Sequence, residues 1–240
     1  MTVLTNTLGQ PIGFPVPGWQ PRPLPPRTPM QGRTCDVVPL NPDRHGPELH
    51  DANSENKDGS NFTYLGAGPF ASLADYRKWI DETCLSDDPL FHAIIDKKSG
   101  KAVGIASYLR IDAKVGVIEV GHINHAPRLQ HTVASTEAMF LMMRRVFDEL
   151  GYRRYEWKCD SLNEPSRRAA QRLGFTFEGI FRQAIMYRGR NRDTAWFSII
   201  DKEWPALKQA YEAWLAPENF DEGGKQRRRL ADLIATERGR

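Results

Sequence analysis

The sequence predicts an α+β domain in which antiparallel strands pack with helices. Three apolar segments separated by short polar turns predict an antiparallel meander. The predicted strands are residues 91–96, 102–111 and 115–123, and the turns are residues 97–100 and 112–114. A long helix is predicted at residues 132–150, where apolar side chains recur at helical spacing until Gly151.

One strand and two helices are predicted before the meander. Residues 33–40 have the composition of a strand. A helix at 43–52 follows Asn41 and Pro42, which suit a helix cap and a first helical turn. A second helix at 72–83 carries four apolar side chains spaced to lie on one face. Both helices are therefore expected to cover one side of the sheet.

A strand and a short helix follow the long helix. Residues 154–159 alternate charged and apolar side chains, as a strand with one buried face does. Asn163 is a good helix cap for residues 166–173, and Gly174 is a stop signal. The remaining predicted elements are strands at 175–181 and 194–200 and a closing helix at 203–215.

The two ends of the chain differ in composition from the domain at 32–215. Residues 1–31 hold eight of the 17 prolines and predict an extended arm. Apolar residues between the prolines favour packing of the arm on its own domain or on a partner subunit in a homodimer; the alternative is a disordered tail. Residues 216–240 predict a charged tail, whose arginines at 227–229 are interpreted as a solvated helix face.

Composition limits the classes of function. The net charge of +3 arises from 33 basic and 30 acidic residues dispersed through the chain, so no nucleic-acid partner is expected. No apolar segment has the length of a membrane span, and no signal peptide is evident. Three widely spaced cysteines, Cys35, Cys84 and Cys159, indicate neither a disulfide framework nor a metal site. We expect reduced thiols in a cytoplasmic protein.

The segment Asn163-Glu-Pro-Ser-Arg-Arg-Ala-Ala-Gln-Arg-Leu-Gly-Phe175 after a strand resembles the second half of the GCN5-related N-acetyltransferase (GNAT) core. The resemblance extends over residues 32–215. Further motifs are similar to the branch of ribosomal-protein N-terminal alanine and serine acetyltransferases, namely Glu178-Gly179, Arg182-Gln-Ala184 and Asp193-Thr194. The resemblance implies the GNAT fold, with a mixed, mostly antiparallel twisted sheet. It also implies acyl transfer from acetyl-CoA or another acyl-CoA to an amine acceptor.

The resemblance also implies a cofactor site at the start of the long helix, where backbone amides and the helix dipole bind a pyrophosphate. The expected residues are Gln130, His131, Thr132, Val133, Ala134, Ser135 and Thr136, with Ile123, Asn124, His125, Asn163 and Ser166 along the pantetheine and thioester. The chain departs from the family at Val133 and Ser135, where small residues or glycine are usual. An ordinary helix start with a threonine cap is the alternative interpretation.

Catalytic roles follow from the same resemblance. Ser166 is expected to protonate the departing thiolate, but Ile185 occupies the position of the usual glutamate base. Glu119 is the preferred substitute because the wider family often uses a glutamate from this strand, and His122 is the second choice because imidazole titrates near neutrality. Structural roles for all three remain open, and Trp157 is interpreted as core.

The acceptor is open between a protein N-terminus and a small amine. The segment 52–70 is expected to line the acceptor side, where Asp51, Glu55 and Asp58 could attract a cationic amine. The altered loop and the missing glutamate also allow a catalytically silent acyl-CoA-binding sensor or interaction module of the same fold.

Overall fold

The structure is a computed structural model that describes residues 3–239. Residues 1 and 2 of the predicted arm and residue 240 of the predicted tail lie outside the described residues. In the part of the chain that is described, no helix has both the length and the apolar character needed to cross a membrane.

The core of the molecule is a mixed sheet of eight strands in the order β3-β4-β5-β6-β7-β8-β10-β9. The strands are β3 Met30–Gln31, β4 Cys35–Pro39, β5 Leu90–Asp96, β6 Lys101–Asp112, β7 Val117–His125, β8 Arg154–Asp160, β9 Thr176–Tyr187 and β10 Arg190–Ile200, while β1 Leu4–Thr5 and β2 Pro11–Ile12 form a separate hairpin. Strands β7 and β8 run parallel, and the other neighbours pair antiparallel. The predicted meander and the mixed, mostly antiparallel α+β sheet are confirmed.

Six α-helices cover the sheet. They are α1 Pro42–Asn53, α2 Leu73–Thr83, α3 Val133–Arg144, α4 Glu164–Arg172, α5 Trp204–Leu215 and α6 Leu230–Glu237. The larger of two apolar cores lies around α3, α5 and α6, and the smaller one is formed by α1 and α2 against β5 and β6. Apolar side chains point to both faces of the central strands, and β5 and β6 are therefore buried along most of their length.

Some predicted boundaries needed correction. The helix predicted at 132–150 is α-helical only to Arg144 and continues as a π-helical turn, Arg145–Glu149. Strands predicted at 175–181 and 194–200 extend further and form a long hairpin that turns at Arg188 and Gly189. Strand β9 lies at the sheet edge with most side chains exposed, so its sequence lacks the apolar alternation that marks a half-buried strand.

Both ends of the described chain pack on the domain. In the predicted arm, Trp19 Nε1 donates to the carbonyl of Lys114 at 2.7 Å, and Met30 enters the larger core. In the segment predicted as a charged tail, Leu230, Leu233 and Ile234 of α6 are buried in the same core. The i, i+3, i+4 spacing of these three residues makes an apolar helix face, so apolar packing continues beyond residue 215.

Candidate functional site

A gap opens between the two parallel strands at the centre of the sheet. Pairing of β7 with β8 runs from Val117 opposite Arg154 to Val120 opposite Trp157. Strand β7 continues to His125, but beyond Val120 it forms no further strand pair with the described residues of β8. The carboxyl ends of β7 and β8 therefore separate, and their edges face a cavity.

A β-bulge on β7 stands at the mouth of this gap. Gly121 pairs with Ser107, and Asn124 pairs with Ile105, so that His122 and the residue after it stand opposite a single residue of β6. His122 has a φ of 49°, a left-handed conformation uncommon for a residue with a side chain. The backbone of β7 is therefore locally kinked after Gly121.

A cavity of about 720 Å³ passes through the gap. One end reaches Gln130 and Ser135 at the beginning of α3, and the other reaches the segment 61–70 and the aromatic side chains of α2. Its middle is lined by the β7 segment 119–125, the β8 segment 157–160 and the first turn of α4. The segment 61–70 thus lies on the side expected for the acceptor.

The cofactor residues expected from the sequence fall into two groups. The residues that line the cavity are Ile123, Asn124, His125, Gln130, Ser135, Asn163 and Ser166. The others surround the start of α3 behind the cavity wall and are His131, Thr132, Val133, Ala134 and Thr136. The structure therefore brings the pantetheine residues together with only part of the predicted pyrophosphate loop.

The first turn of α3 has backbone donors without intrahelical partners. Thr132 is its cap, since Thr132 Oγ1 accepts a hydrogen bond from the Ser135 amide at 3.2 Å. The amides of Val133 and Ala134 occupy the first helical positions, where an α-helix provides no backbone acceptor. These donors and the helix dipole favour a phosphate group at this end of the cavity.

His125 supports this helix start from β7. Its Nδ1 lies 3.0 Å from Ser135 Oγ, and its Nε2 is buried without a partner among the described residues. Burial lowers the pKa of His125 to about 4, so the ring is neutral at pH 7. Gln130 anchors the same loop, because its Nε2 donates to the carbonyl of His125 at 2.8 Å.

Ser166 is oriented by an indole. Trp157 Nε1 donates to Ser166 Oγ at 3.0 Å, and the Ser166 amide donates to Asn163 Oδ1 at 3.1 Å. Because an indole nitrogen can only donate, Ser166 Oγ accepts at that contact and keeps its own proton for another acceptor. Trp157, predicted as core, is buried and also lines the cavity, so it serves both purposes.

Glu119 lines the cavity but is held by two cations. Arg110 Nη1 donates to both of its carboxylate oxygens at 2.8 Å, and Lys158 Nζ lies 2.8 Å from Oε2. Lys158 also contacts Glu156 at 2.7 Å, and its ammonium lies 3.7 Å from the centre of the Trp196 ring. Most of the accepting capacity of Glu119 is therefore used within the protein.

Nε2 of His122 is assigned as the basic nitrogen of the ring, because Ser107 Oγ donates to the carbonyl of Gly121 at 3.3 Å and so accepts from His122 Nδ1. The Nδ1 atom of His122 lies 2.8 Å from Ser107 Oγ, and the His122 ring packs on Phe91 with centroids 4.9 Å apart. Partial burial, with Arg110 as a second cause, lowers the pKa of His122 below its ordinary value. The imidazole is thus neutral at pH 7 and can accept a proton.

Sequence reasoning missed five charged cavity residues, Arg110, Lys158, Asp160, Arg172 and Arg192. The alternation of β8 could have indicated Lys158 and Asp160 as site residues. Both lie on the same face of the strand as Glu156, and Trp157 lies on the other face. Nothing in the sequence singles out Arg192 among its neighbouring arginines. Among residues 3–239 no cluster of three or more metal-ligating side chains occurs.

Comparison with known proteins gives concordant matches. The family model described as an acetyltransferase (GNAT) domain matches residues 38–176. The crystal structure of a GCN5-related N-acetyltransferase from Brucella melitensis is 53% identical, with a TM-score of 0.89, over 91% of this chain and 99% of that one. A probable GNAT-family acetyltransferase from Chromobacterium violaceum is 38% identical, with a TM-score of 0.76, over 82% and 98%. The uncharacterized N-acetyltransferase p20 of Bacillus licheniformis is 26% identical over 59% of this chain and 80% of its own.

Proposed function

Because this chain belongs to the acetyltransferase (GNAT) domain family, we propose that it is an acyl-CoA-dependent N-acyltransferase acting on a primary amine. The donor is acetyl-CoA, and the amine attacks it directly in a ternary complex. The observation that carries this proposal is the continuous cavity, which joins an anion-binding helix start to an aromatic acceptor pocket through the gap between β7 and β8.

The donor fits the first half of the cavity. The amides of Val133 and Ala134 at the start of α3 would hold the pyrophosphate, with His131, Thr132 and Thr136 around them. The pantetheine arm would run between the separated strand edges, where Asn124 and Asn163 offer polar groups. The bulge at His122 and Ile123 would direct backbone donors towards the thioester oxygen, where negative charge develops in the transition state.

We assign the base role to His122 in preference to Glu119. The amine must lose a proton as its nitrogen bonds to the acyl carbon, and a neutral imidazole on the acceptor side can take it. Glu119 would have to exchange contacts with Arg110 and Lys158 first, since both cations are bound to it. Its role in this proposal is to keep those two side chains in place.

Ser166 supplies the proton to the leaving group. When the carbon–sulfur bond breaks, the CoA thiolate must be protonated, and the Ser166 hydroxyl proton is free because Trp157 is its donor. The net reaction moves one proton from the amine to the thiol and one acyl group from sulfur to nitrogen. Each proton transfer contributes about 10² to 10⁴-fold to the rate.

Two variants separate the candidates for the base. His122→Gln keeps a hydrogen-bonding side chain and should lower turnover by about 10²-fold or more at neutral pH, with recovery at high pH where the amine is neutral by itself. Glu119→Gln should mainly lower stability, because Arg110 and Lys158 lose a charged partner. The opposite ranking of turnover, measured as thiol release, would return the base role to Glu119.

The proposed function is tested first by binding and then by turnover. Acetyl-CoA at 100 times its dissociation constant should stabilise the protein by about 2.7 kcal/mol, detectable as a rise in melting temperature. No shift with acetyl-CoA, succinyl-CoA or free CoA would refute any donor-dependent function. Binding without thiol release from any amine or N-terminal peptide would instead favour a silent acyl-CoA sensor.

A further inference from the structure

The carboxylates in the acceptor half of the cavity all accept hydrogen bonds within the protein, but only Glu119 is paired with cations. Arg110 and Lys158 share Glu119. Asp160 Oδ2 accepts from the Tyr187 hydroxyl at 3.0 Å, and its Oδ1 accepts from the Leu162 amide at 2.9 Å. No carboxylate of this half is therefore left without a donor among the described residues.

Acidic residues near the entrance are also occupied. Arg128 lies 3.1 Å from Asp51 Oδ2 and 2.7 Å from Glu55 Oε1. Asp58 is exposed and accepts from the amide and hydroxyl of Ser60. Arg128 offsets only one of the two carboxylate charges of Asp51 and Glu55, and Asp58 keeps its charge because its donors are neutral, so these residues can still attract a cationic amine to the entrance.

Arg192 is the exception among the cations of the acceptor half, while Arg172, at the donor end of the cavity, donates to Thr136 Oγ1 at 2.9 Å. It lines the cavity from β10, and its Nε is buried without a hydrogen-bond partner among residues 3–239. The ion pairs of the cavity use Arg110 and Lys158, and none of them includes Arg192. A half-buried guanidinium in this state has donors available for a ligand anion.

The strand register places Arg192 on the acceptor face. On β10, Thr194 pairs with Asp160 and Trp196 pairs with Lys158. Alternation puts Arg192 on the same side of the strand as these two residues, away from the α3 face. Thr194 Oγ1 is also buried without a partner among the described residues, but Thr194 is not part of the cavity wall.

The opposite wall of the acceptor half is aromatic. Phe70 contacts three rings, with centroids at 6.0 Å from Phe62, 5.0 Å from Tyr76 and 5.3 Å from Trp79, and all four side chains line the cavity. Trp79 in turn packs on Phe91, the neighbour of His122. This wall offers ring faces and edges to an apolar, planar group.

Building on the proposed function, we propose that the acceptor is a small amine that carries both a carboxylate and an apolar ring, as an aromatic amino acid does. Arg192 binds the carboxylate, since a guanidinium pairs with a carboxylate through two parallel hydrogen bonds. The ring lies against Phe70 and Trp79, and the amine lies between them at His122.

Matched pairs of amines test this assignment. Thiol release from acetyl-CoA is measured with tryptophan against tryptamine and with phenylalanine against phenethylamine, which differ only in the carboxylate. The wild type should prefer the carboxylate-bearing amine by at least about 10-fold in kcat/KM, as expected for a charge-assisted pair. Arg192→Gln should bring this ratio close to one, mainly by raising KM for the amino acid.

Arg190→Gln is the matched control, because Arg190 lies on the same strand, is exposed and is not part of the cavity wall. It should preserve the preference. Equal use of tryptophan and tryptamine by the wild type, or a preference that survives Arg192→Gln, would overturn the assignment.

Calorimetry of tryptophan binding to the CoA-saturated protein gives a readout that does not depend on turnover. If tryptophan does not bind to the CoA-saturated protein, the carboxylate site at Arg192 is refuted, but the acyltransferase function is not. Turnover of N-terminal peptides or spermidine in the same preparation would then show that the acyltransferase proposal stands without it. Loss of the acetyl-CoA thermal shift would instead refute the proposed function.

Discussion

Acidification should destabilise the fold, because two histidines with buried ring nitrogens resist protonation in the folded state. His92 on β5 is fully buried, and neither ring nitrogen has a partner among the described residues. Burial, with a smaller effect of Arg145, lowers the pKa of His92 from 6.5 to about 4. Burial alone lowers the pKa of His125 to about 4.

The sign of the effect follows from proton binding. In the unfolded chain each imidazole titrates near 6.5, so between pH 6.5 and 4 the unfolded state binds more protons than the folded state. The free energy of unfolding therefore falls as the pH falls through this window. From pH 7.5 to pH 5 the loss is about 2 kcal/mol for each histidine, at 1.36 kcal/mol per pKa unit. Both together would remove a large share of a typical domain stability of about 5–15 kcal/mol.

His92→Phe isolates one of the two contributions. A phenyl ring preserves the edge-to-face packing on Tyr108, where the centroids are 5.3 Å apart, and cannot be protonated. Urea denaturation of wild type and variant at pH 7.5 and pH 5 gives two differences in unfolding free energy. Any pH-independent packing cost of the substitution cancels in the comparison, and the variant should lose about 2 kcal/mol less than the wild type. Equal losses would show that His92 is protonated as readily in the folded state as in the unfolded chain.

Two further substitutions test the site. Ser166→Ala should lower turnover while the affinity for acetyl-CoA stays within a few-fold, because the proposed contact of Ser166 forms in the transition state. Single-turnover rates measure the first effect and calorimetry of acetyl-CoA binding measures the second. A collapse of affinity with unchanged turnover of the bound complex would make Ser166 a cofactor-binding residue. Gly104→Ala should weaken acetyl-CoA binding, because a Cβ there would lie 2.7 Å from Leu129 Cδ2 and 3.2 Å from the Asn124 carbonyl, in the loop before α3. Gly13→Ala, where a Cβ meets nothing within 4 Å, is the control, and equal affinities of the two variants would contradict the close approach.

The sequence predicted the fold best where structure is determined locally. The meander was predictable because short turns separate segments whose two faces are both buried, and α4 was predictable because Asn163 and Gly174 mark its ends. The length of β9 was not, because an edge strand exposes both faces and its charged side chains resemble those of a loop. Helix α6 has an apolar face, but it directly follows the arginine-rich segment that dominated the sequence pattern.

The candidate site was predictable in position but not in its contacts. Glu119, His122 and Ser166 were the catalytic candidates of the sequence, and the structure places all three on the wall of one cavity. The ion pairs of Glu119 with Arg110 and Lys158 join three strands, and cross-strand contacts between side chains leave no mark in local spacing. A carboxylate that seemed available in the sequence is therefore largely occupied in the fold.

A continuous set of ion pairs extends from this carboxylate across the sheet. Lys158 joins Glu119 to Glu156, and Arg154 joins Glu156 at 2.6 Å to Glu178 at 2.5 Å. Charges that alternate in sign at such distances cancel one another's field a few ångströms away. Arg192 has no such partner among the described residues, and the other unpaired charge of the acceptor half is Asp160, whose carboxylate accepts from an amide and a hydroxyl. In our proposal Arg192 is the cation that selects the carboxylate of an acceptor, and this selection follows from how the other charges are paired and not from their number.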